Sequence, residues 1–297
     1  MTSPQTTAFL GLGMMGLPMA SRLARRGYVV RGYDPVAERR EKLIEAGGLA
    51  FDSPSDAVDG CQRLITMLPN GHVVRETLLG GEPCLAGLLA RDCIAIDMSS
   101  SSPTGTQELA KRLETYSVRL VDAPVSGGVA RAQNGSLAIM VGGEAEDVSE
   151  VHPLLAALGE SIFETGSLGS GHAMKALNNY VSAAGLAAAC EAVQIGRRFG
   201  LDPEMMIDVL NASTGRNNST QAKMKPFVLS ETYASGFALG LMAKDLRTAD
   251  DLARSLGVPA PLSKANAALW EAAVKQLGNA ADHTEIARFL SSEDAKS

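Results

Sequence analysis

The sequence predicts a doubly wound, mostly parallel α/β domain followed by an all-α domain built around one long helix. Strand-like and helix-like segments alternate through the first half of the 297 residues, as they do in α/β folds. The second half shows helical periods and no convincing strand. Glycine is concentrated in the first part of the chain, with 22 of the 30 glycines in residues 1–171.

The α/β domain is expected to contain six main strands with helices between them. The strands are predicted at residues 7–10, 28–34, 64–68, 93–97, 119–123 and 137–141, and the helices at 15–26, 38–46, 103–115 and 146–158. Pro103 suits the first position of its helix, where its missing N–H is not needed. Gly47 and Gly48 stop the helix that precedes them.

The all-α domain is expected to begin with a helix over residues 172–199, about 42 Å long at 1.5 Å per residue. Further helices are predicted at 203–211, 242–256, 261–277 and 282–290. These patterns put the domain boundary near residue 168, giving domains of residues 1–168 and 169–297. Four shorter helices do not easily bury so long an Ala-rich helix, so we expect a homodimer or a homotetramer.

Composition excludes several classes of protein. The chain carries 27 Lys and Arg against 33 Asp and Glu, so it lacks the basic balance of a general nucleic-acid binder. The four cysteines are scattered without a CxxC pair, which predicts no metal site and is compatible with a reducing cytoplasm. The N-terminus shows no signal-peptide pattern, and the uncharged stretch 176–190 is too short to cross a bilayer. We therefore expect a cytoplasmic protein without a membrane partner.

The sequence Gly11-Leu12-Gly13-Met14-Met15-Gly16 follows the first expected strand and opens the first helix. In such a turn the glycines permit a tight bend, close approach of a pyrophosphate and packing of helix on strand. Asp34 ends the second strand, where a carboxylate can accept hydrogen bonds from ribose hydroxyls and repel a 2′-phosphate. The pattern predicts dinucleotide binding with NAD favoured over NADP, although Arg31 and Arg39 keep NADP as an alternative.

A second glycine turn, Ser126-Gly127-Gly128, follows the strand that ends near Asp122. Over residues 123–143 the only charged residue is Arg131. The Ser126 hydroxyl and neighbouring N–H groups could hold a substrate carboxylate without a salt bridge. The alternative is a turn whose glycines serve the backbone alone.

Lys175 and Asn179 are four residues apart in the first turns of the long helix, so they share one face. A lysine near a helix N-terminus faces the positive end of the dipole, and partial burial also disfavours its charge, so we expect a lowered pKa. Such a lysine can exchange a proton with an alcohol or carbonyl oxygen, and Asn179 could orient either partner. The alternative is a lysine on a solvated helix face. Against this, the chain carries no further charged residue after Lys175 until Glu191.

Five segments together resemble the β-hydroxyacid dehydrogenase family, and most closely its 3-hydroxyisobutyrate dehydrogenase branch. They occur in the family's order and spacing, and the resemblance runs through nearly the whole chain. The segments are residues 11–23 (GLGMMGLPMASRL), 97–103 (DMSSSSP), 122–143 (DAPVSGG to NGSLAIMVGG), 169–179 (GSGHAMKALNN) and 241–246 (LMAKDL).

The resemblance implies a Rossmann-type domain, an all-α domain and a site in the cleft between them. It implies that Lys175 is the acid–base residue, that Asn179 is its polar partner, and that both contact substrate together with Ser126, Gly127 and Gly128. The family commonly has Thr at Ser100, and the hydroxyl is kept. The implied cofactor-binding positions are Gly11, Leu12, Gly13, Met14, Met15, Gly16, Asp34, Leu68, Pro69, Ser100, Phe237 and Lys244.

These observations predict an NAD-dependent oxidoreductase that transfers hydride between the cofactor and the hydroxyl or aldehyde of a small 3-hydroxy acid. Alternatives are an NADP-linked reductase of a related semialdehyde or sugar acid such as tartronate semialdehyde or threonate, an imine reductase, and a non-catalytic dinucleotide-binding protein. Lys175 speaks against the last two, since such members usually lack it. Residues Arg216, Asn217 and Asn218 either reach the substrate or form a helix-capping loop.

Overall fold

The computed structural model describes residues 6–291. They form two compact units, one up to Lys175 and the other from Ala176. The predicted boundary between residues 168 and 169 lies at the turn before the long helix, α8 (Ser170–Phe199), and this helix runs through the division at Lys175.

The first unit contains one nine-stranded sheet. Its strands are β1 (Thr6–Leu10), β2 (Val29–Tyr33), β3 (Leu49–Ala50), β4 (Arg63–Thr66), β5 (Ile94–Asp97), β6 (Arg119–Asp122), β7 (Val125–Ser126), β8 (Leu137–Gly142) and β9 (Gly159–Gly166). The order β3-β2-β1-β4-β5-β6 is parallel throughout. It is the order of a dinucleotide-binding fold, in which ligands bind beyond the carboxyl ends of the strands where the order reverses, here between β1 and β4.

The rest of the sheet is mixed. β8 runs antiparallel to β6 and β7 and parallel to β9. The helices of this unit are α1 (Gly16–Arg25), α2 (Ala37–Glu45), α3 (Pro54–Val58), α4 (Gly71–Leu79), α5 (Pro103–Leu113), α6 (Gly128–Asn134) and α7 (Ala145–Ala156). Two buried clusters, one containing Phe9 and Val141 and the other Leu64 and Leu120, form its core. The predicted doubly wound fold is confirmed.

Several elements were not predicted from the sequence. β9 has the sequence GESIFETG, and most of its side chains are exposed, so it lacks the apolar run that marks a buried strand. β3 and β7 have two residues each, and α3 has five. Elements of this length carry too few residues to show a period.

The second unit is helical around the remainder of α8. It contains α9 (Pro203–Ala212), α10 (Asn218–Ala222), a π-helix (Met224–Leu229), α11 (Leu239–Ser255), α12 (Pro261–Leu277) and α13 (Ile286–Ser291). Its core surrounds the fully buried Trp270 and includes Leu186 of α8 and Leu246 of α11. Within residues 6–291, none of the helices has both the length and the apolar character that crossing a membrane requires.

One face of α8 carries an apolar stripe. Its members are Met174, Leu177, Val181, Ile195 and Phe199, whose exposed fractions range from 42% to 83%. At 100° per residue these positions lie within about 60° of one another around the helix axis. The helix therefore presents a hydrophobic face that residues 6–291 leave exposed.

Candidate active site

The glycine turn after β1 fits the pyrophosphate of a dinucleotide. Gly11 has φ +96°, and a Cβ there would lie 2.4 Å from the Met67 carbonyl oxygen. A Cβ on Gly16 would lie 1.9 Å from the Gly11 carbonyl oxygen, so the first and third glycines are required by the fold itself. A Cβ on Gly13 would meet nothing within 4 Å. The second glycine thus faces open space, as a position that a phosphate approaches must do.

Asp34 lies directly after β2 and is tied to this turn. Its Oδ2 accepts a hydrogen bond from the Leu12 N–H at 2.8 Å, and its Oδ1 accepts one from the Val36 N–H at 2.9 Å. Arg39 approaches the same carboxylate, with Nη1 3.3 Å from Oδ1. The structure therefore brings two predicted cofactor elements together and adds a cation beside the acid.

Arg31, the other basic residue proposed near the cofactor, is used within the protein. Its guanidinium donates to the backbone oxygens of Asp56 and Asp59 and stacks over the Phe51 ring at 4.6 Å. These contacts favour a structural role for Arg31. Arg39 lies beside the Asp34 carboxylate, while Arg40 Nη1 donates to the Asp34 backbone oxygen at 2.8 Å.

The buried Asp97 organises the two loops that carry Leu68, Pro69 and Ser100. Its Oδ1 accepts hydrogen bonds from Thr66 Oγ1 at 2.9 Å and from the Ser99 N–H at 3.0 Å. Ser99 Oγ in turn accepts a hydrogen bond from the Leu68 N–H at 3.0 Å. The loops after β4 and β5 are thus joined at the carboxyl ends of their strands, where a cofactor binds in this fold.

The start of α8 is held by another buried carboxylate, Asp122 at the end of β6. Asp122 Oδ1 accepts a hydrogen bond from the Gly169 N–H, and Oδ2 accepts one from the His172 N–H, each at 2.7 Å. Burial raises the pKa of this carboxyl, while His172 and the two N–H groups oppose that rise. Gly169 and Gly171, at the start of the helix, bring α8 close to Asp122 and to β8.

The His172 ring is fully enclosed beside both carboxylates. Its Nε2 donates to the Ser99 carbonyl oxygen at 3.2 Å, and its Nδ1 lies 2.8 Å from Thr106 Oγ1. Nε2 lies 3.7 Å from Asp97 Oδ2, and Nδ1 lies 3.6 Å from Asp122 Oδ2. His172, Asp97 and Asp122 therefore join β5, β6 and α5 to the helix turn that precedes Lys175.

The Ser126-Gly127-Gly128 turn joins the last residue of β7 to the first residue of α6. Gly127 has φ +137° and Gly128 has φ +69°, so both glycines adopt backbone conformations that side chains disfavour. Both are exposed, and a Cβ on Gly128 would meet nothing within 4 Å. The turn leaves space at Gly128 for a ligand, as the sequence-based hypothesis requires.

In the second unit, Asp245 links two predicted site residues. Its Oδ2 accepts a hydrogen bond from Asn179 Nδ2 at 2.6 Å, and its Oδ1 lies 3.0 Å from Lys244 Nζ. Asp245 lies in the segment of residues 241–246 but was not among the site residues that the sequence predicted. The usable signal was a carboxylate on the apolar face of a helix, where Met242 and Ala249 lie one turn before and after it.

Phe237, predicted near the nicotinamide, precedes α11. Its ring meets the His283 ring edge-on at a centroid distance of 5.7 Å, and its carbonyl oxygen accepts the His283 backbone N–H at 2.8 Å. Asp282 accepts hydrogen bonds from Ser235 Oγ and the Gly236 N–H. The turn at Asp282 and His283 therefore fixes the backbone that carries Phe237.

Asn217 forms a helix cap. Its Oδ1 accepts hydrogen bonds from the Ser219 and Thr220 N–H groups, and the Thr220 hydroxyl accepts one from the Asn217 N–H. This capping box begins α10 and occupies the Asn217 side-chain oxygen. The helix-capping interpretation of this residue is favoured, while Arg216 and Asn218 are exposed.

Comparison with known protein families covers both units. Residues 6–166 match the family described as the NAD binding domain of 6-phosphogluconate dehydrogenase. Residues 169–290 match the family described as NAD-binding of NADP-dependent 3-hydroxyisobutyrate dehydrogenase. The chain therefore binds a nicotinamide dinucleotide.

Individual relatives agree with these matches over nearly the full chain. The 2-(hydroxymethyl)glutarate dehydrogenase of Eubacterium barkeri is 34% identical, with 89% of this chain and 87% of that protein covered. The mitochondrial 3-hydroxyisobutyrate dehydrogenase of Bos taurus is 33% identical, with coverage of 99% and 89%. A structure of Mycobacterium tuberculosis 3-hydroxyisobutyrate dehydrogenase with L-serine is 32% identical with a TM-score of 0.88, and covers 98% of this chain and 100% of that chain. The chain belongs to the β-hydroxyacid dehydrogenase family, which includes 3-hydroxyisobutyrate dehydrogenase.

Proposed function

We propose that the protein is an NAD-dependent dehydrogenase of a small 3-hydroxy acid, with Lys175 as the acid–base residue. The observation that supports this most strongly is the placement of Lys175 and Asn179 one turn apart on α8, a helix whose first turn is tied to Asp122 at the end of β6. Asp122 precedes Ser126 by four residues. The helix turn before the proposed proton carrier and the strand end before the proposed carboxylate-binding turn thus meet at Asp122.

In the proposed reaction the substrate carboxylate is held by the Ser126 hydroxyl and by N–H groups of Gly127 and Gly128. Lys175 Nζ accepts the hydroxyl proton as the carbinol C–H bond breaks, and the product is the semialdehyde. In the reverse direction Lys175 returns the proton to the carbonyl oxygen. The dinucleotide, when bound, supplies the hydride chemistry.

Asn179 is proposed to hold the substrate oxygen or the lysine in line for this transfer. Its amide orientation is set by Asp245, which accepts from Nδ2, while Asn178 Nδ2 lies 3.2 Å from Asn179 Oδ1. Phe237 and Lys244 are proposed to contact the nicotinamide, and the loops at Leu68, Pro69 and Ser100 the remainder of the cofactor.

NAD is the proposed cofactor rather than NADP because of Asp34. A carboxylate at this place can accept a ribose hydroxyl and opposes a 2′-phosphate. Arg39 works in the other direction, since its guanidinium could pair with a 2′-phosphate if Asp34 were absent. An NADP-linked reductase of a related semialdehyde is therefore the second candidate, supported by Arg39 and by the match of residues 169–290 to a family described by an NADP-dependent enzyme.

A substrate panel tests the proposal. Reduction of NAD and of NADP is followed by nicotinamide absorbance with 3-hydroxyisobutyrate, serine, 2-(hydroxymethyl)glutarate and threonate, and the reverse reaction with tartronate semialdehyde. We expect turnover of at least one 3-hydroxy acid with NAD preferred. Binding of NAD without oxidation of any 3-hydroxy acid or reduction of any semialdehyde would contradict it, and cyclic imines in the same panel test imine reduction.

A second copy of this chain is the proposed occupant of the apolar stripe on α8. The stripe extends over 26 residues from Met174 to Phe199, and α9 adds the exposed Met205 and Val209. A long helix face of this kind can pair with its own copy about a twofold axis. Light scattering should give a multiple of the 31.0 kDa chain mass, and a monomeric mass would contradict the proposal.

A further inference from the structure

Asp122 is buried and has two acceptor oxygens directed at a single helix turn. Each oxygen accepts one backbone N–H, from Gly169 and from His172, and both distances are 2.7 Å. The Gly169 N–H lies just before α8 and the His172 N–H lies in its first turn, where the N–H groups of an α-helix have no acceptor within the helix. A carboxylate is the side chain that offers an acceptor to both, and it also complements the positive end of the helix dipole.

Two glycines make this contact close. A Cβ on Gly171 would lie 2.9 Å from Asp122 Oδ2 and 2.3 Å from the Met140 carbonyl oxygen. A Cβ on Gly142 would lie 2.7 Å from Asp122 Oδ1. The backbones of α8 and β8 thus enclose the carboxylate. If α8 moved towards or away from β8, the hydrogen bonds to Asp122 would not be kept.

The His172 side chain anchors the same turn from the other side. Its ring reaches Ser99 in the loop after β5 and Thr106 in α5. The first turn of α8 is therefore held through its backbone by β6 and through a side chain by β5 and α5. Lys175 lies three positions after His172, so this anchoring determines the point on α8 from which the Lys175 side chain projects.

We propose that Asp122 is a positioning residue for catalysis, which holds Lys175 in register with the turn at Ser126. This inference rests on the proposed function of Lys175. Asp122 itself does not exchange a proton with substrate; it keeps the helix of the proton carrier and the strand end leading to the carboxylate turn in one fixed arrangement. A displacement of about 1 Å at such a site can cost about 100-fold in rate.

The Asp122→Asn variant tests this inference because it keeps the side-chain shape but replaces one acceptor with an NH₂ donor, which would face an N–H. We expect kcat for the preferred hydroxy acid to fall about 100-fold, with the dissociation constant for NAD unchanged. The isotope effect on kcat with substrate deuterated at the carbinol carbon should rise, because misplaced groups make the chemical step limiting. A lesion that only reduced the folded fraction would lower the apparent kcat without changing the isotope effect.

Gly171→Ala is the second variant, and it leaves every charge in place. Its Cβ would displace α8 from Asp122 and Met140, although alanine is intrinsically a better helix former than glycine. We expect the same rise in isotope effect. Asp147→Asn, which removes a carboxylate paired with Arg119 in the same unit, and Gly185→Ala, where the three atoms nearest a Cβ belong to the Asn217 side chain at 3.3 Å or more, are the controls. Both should retain the wild-type isotope effect.

Lys175→Met separates the failure of this inference from failure of the proposed function. If Lys175→Met turns over normally, the proposed function is wrong. If Lys175→Met is inactive while folded Asp122→Asn and Gly171→Ala keep the wild-type kcat and isotope effect, the positioning role of Asp122 is wrong. If both keep NAD binding, lose kcat and show the larger isotope effect, the inference stands.

Discussion

Asn179 donates a hydrogen bond through Nδ2 to Oδ2 of Asp245 at 2.6 Å, and both residues are buried. Asp245 Oδ1 also pairs with Lys244 Nζ at 3.0 Å. The Asp245 carboxylate therefore fixes the side-chain amide of Asn179 on α8 and pairs with Lys244 on α11. Because the carboxylate can only accept, it determines which end of the Asn179 amide is available for other partners.

Replacement of Asp245 with Asn should weaken substrate use. A hydrogen bond to a charged group contributes about 1.5–3 kcal/mol, so kcat/KM for the hydroxy acid should fall roughly 10- to 100-fold. Asp250→Asn, which removes another largely buried acid of α11 that pairs with Arg254, is the matched control. Steady-state kinetics decide the matter, and equal kcat/KM values in both variants would contradict a role for Asp245.

Asp34→Ser should change cofactor selectivity. The substitution removes the carboxylate beside the ribose site and leaves Arg39 without its acidic partner, so NADP should gain relative to NAD. Loss of charge-assisted hydrogen bonds of about 1.5–3 kcal/mol corresponds to roughly a 10- to 100-fold fall in kcat/KM for NAD. Asp52→Ser, an exposed partner of Arg40, is the control. An unchanged ratio of kcat/KM for the two cofactors would show that Asp34 does not select between them.

His283 should make the protein sensitive to mild acid. Burial, with Lys223 nearby, lowers its pKa to about 4 from 6.5. The unfolded chain binds a proton that the folded chain does not between these values, so the free energy of unfolding falls as pH decreases from 6.5 towards 4, by up to about 3 kcal/mol. Urea unfolding of wild type and His283→Gln at about pH 7.5 and pH 5 measures this. The variant should lose less stability on acidification, and parallel losses would refute the assignment.

Asn217→Ala should lower stability without changing substrate preference. The side chain caps α10, and loss of such a cap costs about 1 kcal/mol. Asn218→Ala, at the neighbouring exposed position, should have little effect. Urea unfolding and the substrate panel are measured on both variants. A changed substrate ranking for Asn217→Ala would favour contact with substrate over the capping role.

The sequence predicted those parts of the molecule whose geometry is local. Lys175 and Asn179 share a face because four residues make about one helical turn. The GxGxxG spacing of residues 11–16 indicates a tight turn between a strand and a helix. The partners of α8 could not be predicted in the same way. Asp122 lies 50 positions before His172, and Asn179 lies 66 positions before Asp245. No spacing rule connects residues so far apart, and only the folded sheet and helix pairs bring them together.

Turnover by Lys175→Met tests the central claim most directly. Methionine keeps most of the length and apolar volume of lysine but cannot accept or donate the proton. The measurement is kcat for the preferred 3-hydroxy acid, alongside the dissociation constant for NAD. Because a positioned acid–base group contributes about 100- to 10,000-fold, we predict a fall in kcat of that order with NAD affinity unchanged. A variant that binds NAD normally and retains near wild-type kcat would contradict the assignment of Lys175.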